Sequence, residues 1–264
     1  MLATLESSFG KPLERQVGEI SYRPEERTGG FGKTLSGVGH GPSHNYSQVY
    51  HFILKEGLLG RGGTIYDLGC GDGSSLFRLH FDDPTRKIVG VDISESSIKL
   101  AKGAIELYDM GDKVSVIRAD CRRSPLKPNG ADYVLLIDVL LPQDRESAQR
   151  MLDICAEACR PGGRIIASTA SRDYGLACLD ELGEEKTFLE NDLRKGILRH
   201  PNGKFVGTAY TKDELEAEFL ARGCEVETYE MSCRDFLGPK VPPEYTEKIW
   251  NTPTALIAVA TKGV

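Results

Sequence analysis

The sequence predicts an α/β fold: a doubly wound, mostly parallel, seven-stranded sheet whose last strand is antiparallel. Three observations support this prediction. Between residues 64 and 169, short apolar runs alternate with segments whose apolar residues recur at three- and four-residue spacing, as buried strands and their crossover helices do. A glycine-rich turn follows the first run. The last two runs have no helical pattern between them, and parallel neighbours would need such a crossover.

The predicted elements divide into an N-terminal arm and lid helix, residues 1–60, and a main domain, residues 61–264. We expect the lid helix to begin near Ser43, whose hydroxyl can cap it. The predicted strands are TIYDL (64–68), KIVGVDI (87–93), KVSVIRA (113–119), ADYVLLIDVL (131–140), GRIIAST (163–169), CEVETYEMS (224–232) and TALIAVATKG (254–263). Helices are predicted at 74–80, 95–109, 144–160 and 211–223. Residues 171–209 are surplus to a minimal sheet, so we expect a cap insertion over the edge where open α/β sheets bind ligands.

Composition limits the classes of function. The 264 residues suit one large domain or a domain with an appendage, and 40% hydrophobic with 27% charged residues is ordinary for a soluble protein. A net charge of −6 predicts no nucleic-acid partner. No apolar run is long enough to span a bilayer, and the N-terminus lacks a signal-peptide pattern, which predicts no membrane partner and a cytoplasmic location. The oligomeric state stays open, with a homodimer among the options.

The seven cysteines lie at scattered positions without a CxxC or Cys/His ligand spacing. Cys155 and Cys159 are one helical turn apart, but two ligands do not complete a zinc site. We therefore expect reduced, buried thiols and no metal.

The glycine turn carries the first functional signal. Gly69, Gly71 and Gly73 give the pattern G-x-G-x-G, whereas a dinucleotide fingerprint needs a third glycine where Ser74 stands. Asp67 precedes the turn, so a pyrophosphate would meet a negative charge. The turn therefore favours a ligand without phosphates and with a cationic part, which weighs against a nicotinamide cofactor.

At these residues the sequence resembles the class I (Rossmann-like) S-adenosylmethionine-dependent methyltransferases, over roughly residues 60–264. The segment DLGCGDG (67–73) is similar to their first motif. The resemblance implies that Asp67 helps to hold the loop and the cofactor amino group. It also implies that the backbone of the loop passes close to the amino-acid end of the cofactor, through Gly69, Cys70, Gly71 and Gly73.

Three further segments extend the resemblance. VGVDIS resembles the second motif, which implies that Asp92 accepts hydrogen bonds from both ribose hydroxyls and that Ile93 beside it contacts the cofactor. RADCRR resembles the third motif, which implies that Asp120 accepts the adenine amino group and that the Cys121 N–H meets a ring nitrogen. ACRPGGRII is similar to the turn that precedes the fifth strand in this family.

Methyl transfer depends mainly on holding donor and acceptor in line, and a base is needed only when the acceptor must lose a proton. Asp138 ends the predicted fourth strand, where the resemblance places the methyl group, so it is a candidate for cofactor contact and for catalysis; a helix cap is the other interpretation. The signature of amino-group methylases of DNA is absent there, and the fifth strand lacks the Asp-Asn of metal-dependent catechol methylases.

Two tyrosines are further catalytic candidates. Tyr46, in the lid helix, is expected to contact the cofactor carboxylate or the acceptor, because other members of the family close an N-terminal helix over the site. Tyr174, just past the fifth strand, is an acceptor-side candidate. Tyr50 and His51 are interpreted as packing or surface positions.

The resemblance implies a methyltransferase of the small-molecule type, with a metabolite as its acceptor and a place in specialised biosynthesis. Two alternatives stay open. The protein could consume S-adenosylmethionine by cyclising or cleaving its aminobutyrate arm, or it could bind the cofactor without catalysis.

Overall fold

The structure is a computed structural model, and it describes residues 46–123, 126–139, 145–182, 187–199, 205–237, 239 and 246–264. Residues 1–45 of the arm lie outside the described residues. The described strands are β1 Thr64–Leu68, β2 Lys87–Asp92, β3 Val114–Arg118, β4 Ala131–Ile137, β5 Cys159–Ser171, β6 Ile197–Arg199, β7 Phe205–Tyr210, β8 Cys224–Ser232 and β9 Pro253–Lys262. The described helices are α1 Tyr46–Lys55, α2 Ser74–Asp82, α3 Glu95–Leu107, α4 Arg145–Ala158, α5 Arg172–Leu182, α6 Thr187–Arg194, α7 Lys212–Leu220, α8 Cys233–Leu237 and α9 Glu247–Asn251.

The sheet has the predicted architecture. Seven strands follow the order β3-β2-β1-β4-β5-β9-β8. Strands β1 to β5 pair in parallel, whereas β9 runs antiparallel to both β5 and β8. The fold is therefore a mostly parallel, doubly wound sheet with an antiparallel last strand.

Helices cover both faces of this sheet, and the strand sequences show why. Successive residues of β4 enter opposite clusters: Leu135 and Ile137 pack with α1, α2 and α3, and Val134 and Leu136 pack with α4 and α7. Because side chains alternate across a strand, a strand buried on both faces reads as a continuous apolar run.

The insertion adds two strands that the sequence did not predict. Strand β6 pairs antiparallel with β7, and β7 extends the parallel pairing of β5 only at Ala170↔Ala209 and Ser171↔Tyr210. The predicted count of seven is thus correct for the central sheet but two short for the described residues. The insertion also forms part of a separate apolar cluster, which contains Tyr174, Cys178, Leu193, Cys233 and Trp250.

Two predicted boundaries are corrected. Strand β4 ends at Ile137 and not at residue 140, because Asp138 adopts a left-handed backbone, φ 54°, which stops an extended strand. The Pro-Gly-Gly of residues 161–163 is not a turn ahead of β5. It lies inside β5 as a bulge between the pairs Ala131↔Cys159 and Tyr133↔Arg164, and Gly162 supplies the positive φ of 70°.

Candidate cofactor and active site

The glycine loop lies between the ends of β1 and β2. The pairing of β1 with β2 continues to Leu68↔Val91. The Gly69 and Cys70 N–H groups then both donate to the Val91 carbonyl, at 2.6 and 3.1 Å. The loop is thereby tied to the neighbouring strand at the C-terminal edge of the sheet, where sheets of this kind bind ligands.

The three loop glycines have different physical reasons to be glycine. All have positive φ, between 57° and 86°, a region that glycine adopts with the least strain. A Cβ on Gly69 would lie 2.3 Å from Val139 Cγ2, and one on Gly73 would lie 2.9 Å from Ala101 Cβ. A Cβ on Gly71 would meet no heavy atom within 4 Å. The outer glycines therefore permit protein packing, while Gly71 borders open space that a ligand can occupy.

Cys70 contributes to this loop through its backbone. Its side chain is buried and packs on β2, since a Cβ on Gly90 would lie 2.7 Å from the Cys70 Sγ. The side chain thus turns away from the ligand edge, and the backbone of the loop is what a ligand can reach.

Asp67 sits directly beneath the loop. It is 1% exposed, and it accepts hydrogen bonds from the Tyr50 hydroxyl to Oδ1 at 2.8 Å and from Ser75 Oγ to Oδ2 at 2.6 Å. Burial raises the pKa of Asp67 to about 6, although the two hydroxyls lower it. A buried carboxylate at this edge favours a cationic ligand group.

Asp92 lies in front of the loop at the end of β2. Its Oδ2 accepts the Gly71 N–H at 2.9 Å, and its Oδ1 accepts the Ser94 N–H at 2.8 Å. Each carboxylate oxygen has a second lone pair, so Asp92 can still accept from a cis-diol. Ile93 follows with 62% of its surface exposed, an apolar side chain beside the site.

The Asp120 carboxylate makes a fork with Arg122. Arg122 Nε donates to Oδ1 at 2.9 Å and Nη2 donates to Oδ2 at 2.7 Å, and this contact holds the pKa of Asp120 below its usual range. Arg122 Nε also reaches Oδ2 at 3.1 Å, and the Arg122 N–H donates to Oδ1 at 2.9 Å, so an adenine amino group would have to displace Arg122. The neighbouring Cys121 thiol is buried, and burial raises its pKa to about 12. Both cofactor roles stay predictions.

Asp138 forms a closed pair with Ser168 of β5. The Asp138 N–H donates to Ser168 Oγ, and Ser168 Oγ donates to Asp138 Oδ1, both at 2.9 Å. Burial raises the pKa of Asp138 to about 6, and the Ser168 hydroxyl lowers it. Val139, the residue after Asp138, is not helical, so Asp138 does not cap a helix. The pair fixes one carboxylate oxygen and leaves Oδ2 without a bond from Ser168.

Of the two tyrosine candidates, the structure describes the side chain of Tyr174 and not that of Tyr46. Tyr46 is the first described residue of α1, but its side chain lies outside the part of the chain that the structure describes. Tyr174 is 6% exposed within the cap cluster, with its hydroxyl 4.0 Å from Cys233 Sγ. Its acceptor-side role stays a prediction.

Three site residues were missed by the sequence interpretation: Tyr50, Ser75 and Ser168. Tyr50 was assigned to packing or to the surface, although it lies four residues after Tyr46 on one helix face. Ser168 offered a signal, because a serine inside the apolar run IIAST must find a hydrogen-bond partner when buried. The partner itself, 30 residues away, could not be read from the sequence.

These residues fit S-adenosylmethionine. The open surface at Gly71 admits a close backbone approach, the buried Asp67 suits the ammonium group, and the spare lone pairs of Asp92 suit the ribose hydroxyls. The fold and this loop are those of the class I, S-adenosylmethionine-dependent methyltransferases. Residues 65–163 match a protein family described as a methyltransferase domain, and S-adenosylmethionine is the cofactor of this class.

Two curated relatives illustrate the range of the class. The chain is 31% identical over 123 residues to the tRNA N(3)-methylcytidine methyltransferase Mettl2 of Drosophila melanogaster, covering 45% of this chain and 37% of that protein. It is 26% identical over 172 residues to a ubiquinone biosynthesis O-methyltransferase of Coxiella burnetii, covering 62% and 66%. The chain thus spans between about a third and two thirds of the length of the curated relatives it matches.

The fold also matches solved structures. The crystal structure of a SAM-dependent methyltransferase from Methanosarcina mazei superposes with a TM-score of 0.60 at 16% identity, covering 80% of this chain and 97% of that chain. At this identity the likeness establishes the fold alone.

None of the helices in the described ranges has the length and apolar character to cross a bilayer. Within the same ranges, no three His, Cys, Asp or Glu side chains converge as metal ligands.

Proposed function

We propose that the protein transfers a methyl group from S-adenosylmethionine to a small-molecule acceptor. One observation carries the proposal: two carboxylates flank the glycine loop, Asp67 buried behind it at 1% exposure and Asp92 in front of it. This pair favours an ammonium group and a cis-diol and disfavours a pyrophosphate. The arrangement therefore supports S-adenosylmethionine over a nicotinamide cofactor.

The chain would hold the cofactor along the C-terminal edge of the sheet. Asp67 would hold the loop and balance the charge of the ammonium group. The amino-acid end of the cofactor would lie along the backbone of Gly69 and Gly71, and Asp92 would accept hydrogen bonds from the ribose hydroxyls. Ile93, Asp120 and Cys121 would border the adenine. When bound, the cofactor supplies an electrophilic methyl group on a sulfonium.

Asp138 is the proposed acceptor-side residue. It directly follows β4, at the same edge as the loop, and a Cβ on Gly69 would touch the next residue, Val139. Ser168 fixes its backbone and Oδ1, so Oδ2 is the oxygen that can orient an acceptor hydroxyl or amine or accept its proton. Since burial raises the pKa of Asp138 to about 6, it is a stronger base than an exposed carboxylate at neutral pH.

The small-molecule acceptor is supported by charge. The chain carries a net charge of −6, and two arginines near the site are already paired, Arg118 with Glu95 and Arg122 with Asp120. A tRNA acceptor, as in the Drosophila relative, needs unpaired cations for phosphate contacts. A cytoplasmic location and a role in specialised biosynthesis remain parts of the proposal, and the oligomeric state stays open.

The test uses the full chain with S-adenosylmethionine labelled with ¹³C at the methyl group. It is incubated separately with a metabolite extract below about 1 kDa and with total tRNA, and the products are identified by mass spectrometry. We expect S-adenosylhomocysteine and label in the small-molecule fraction. Label in tRNA would overturn the acceptor class, and methylthioadenosine would indicate attack on the aminobutyrate arm. Calorimetry that shows heat with NAD and none with either adenosyl ligand would overturn the cofactor.

A further inference from the structure

Tyr50 is a buried residue of α1 that the proposed reaction does not use. It is 4% exposed, and its hydroxyl donates to Asp67 Oδ1 at 2.8 Å. Ser75, the second residue of α2, donates to the other oxygen at 2.6 Å. Hydroxyls from two helices on the same face of the sheet therefore hold both oxygens of the carboxylate beneath the glycine loop.

We propose that Tyr50 is a positioning residue for cofactor binding: its hydroxyl keeps Asp67 ionised and oriented beneath the glycine loop at neutral pH. The inference rests on the proposed function, in which Asp67 balances the ammonium group of the cofactor. Tyr50 touches Asp67 and acts through it.

The physical argument starts from the burial of Asp67. A carboxylate that has lost its water favours the protonated form, and each hydroxyl donor shifts the balance back toward the charged form. Burial already raises the pKa of Asp67 to about 6 with both donors in place. Removing the Tyr50 hydroxyl leaves one donor, so the pKa rises toward neutrality. A protonated Asp67 no longer offers a counter-charge to an ammonium group.

Three further titratable groups lie near Asp67: Asp92, Cys70 and Cys121. Asp92, at the end of β2, raises the pKa of Asp67 through its negative charge, and it is common to every variant in the comparison below. Burial raises the pKa of the Cys70 thiol well above its usual value, and that of Cys121 to about 12, so both stay neutral from pH 5 to 9. Burial also raises the pKa of Tyr50 itself.

The experiment compares the full-length protein with Tyr50→Phe, and S-adenosylhomocysteine is the probe. Calorimetry from pH 5 to 9 gives Kd, and ¹³C NMR of labelled aspartate carboxyls, assigned with Asp67→Asn, gives the titration midpoint of Asp67 without any ligand. We expect the midpoint to rise by about one pH unit in Tyr50→Phe, as loss of a hydrogen bond to a carboxylate does. Kd should then weaken about twofold at pH 7 and about fivefold at pH 6, and should match that of wild type at pH 9.

Two further variants sharpen the test. Ser75→Ala removes the second hydroxyl and should shift the midpoint in the same direction. Tyr229→Phe is the matched control, because Tyr229 also contacts α1: its ring packs edge-to-face against Phe52, with ring centroids 5.3 Å apart. It should leave the midpoint of Asp67 unchanged.

The outcomes separate the two proposals. An unchanged midpoint in Tyr50→Phe, or a Kd weakened equally at every pH, makes Tyr50 a packing residue and overturns the inference. No binding by the wild-type protein at any pH overturns the proposed function, and with it the role of Tyr50 in cofactor binding.

Discussion

Asp92 connects two parts of the site, because one of its oxygens accepts the Gly71 N–H and the other accepts the Ser94 N–H. Asp92→Ala should weaken S-adenosylhomocysteine binding by about 1.5–3 kcal/mol, the range for lost hydrogen bonds to a charged group. Calorimetry measures this change. Glu95→Ala is the control, since Glu95 is exposed and pairs with Arg118. Equal affinity of Asp92→Ala and wild type would mean that β2 does not present this residue to the ribose.

Asp138→Asn tests the acceptor-side proposal. Asparagine tolerates the left-handed backbone that Asp138 adopts, φ 54°, so the change removes charge with little strain. We expect near-normal S-adenosylhomocysteine affinity and a turnover reduced at least about tenfold, as for loss of a general base. Turnover is measured once an acceptor is known. A variant that retains full turnover would leave Asp138 with a structural role only.

The same variant has a readout that needs no acceptor. Burial raises the pKa of Asp138 from 3.8 to about 6, so between these values the folded protein holds a proton that the unfolded chain has released. The contribution of Asp138 to stability is therefore present below about pH 4 and lost as pH rises through 6. Measured by urea unfolding, the free energy of unfolding of Asp138→Asn should rise by about 1–3 kcal/mol relative to that of wild type as the pH goes from 4 to 7. A constant difference across this range would contradict the raised pKa.

Among the secondary-structure elements, the glycine loop and α3 offer a paired test. Gly73 has φ 86°, and its missing Cβ would lie 2.9 Å from Ala101 Cβ of α3. Gly73→Ala should lower the free energy of unfolding by about 2–4 kcal/mol, from backbone strain and overpacking. Gly103 lies within α3 with no heavy atom within 4 Å of a Cβ. Gly103→Ala should raise the free energy of unfolding by about 0.5–1 kcal/mol. Urea unfolding should show changes of opposite sign in the free energy of unfolding of the two variants. Changes of the same sign would contradict the geometry.

The same elements show what a sequence can predict. The bounds of β1 and β8 are as predicted, because the apolar run TIYDL and the alternating segment CEVETYEMS each lie between turn residues. The order of motifs placed Asp67 and Asp92 on either side of the loop. The Tyr50–Asp67 and Asp138–Ser168 contacts join residues 17 and 30 positions apart, and no local periodicity reports such a contact. Pairing of β7 with β5 was missed for the same reason.

For the whole molecule, the arm and the cap insertion are expected to act together. The insertion begins directly after β5, at the edge that carries the glycine loop, and the arm is rich in glycine before α1. Hydrogen exchange of residues 20–50 and 171–209 should slow when S-adenosylhomocysteine and acceptor are bound together, because a closed lid protects its amides. Exchange rates that do not change in either segment would exclude a lid.

The position of β9 also has a consequence for biosynthesis of the protein on the ribosome. This strand, Pro253–Lys262, lies between β5 and β8 and pairs with both, yet it is the last of the described strands to be translated. Until it emerges, the nascent chain exposes the open edges of two hydrophobic strands, which are prone to non-native association. The central sheet is therefore completed only after β9 has been translated, and earlier intermediates are those on which chaperones would be expected to act.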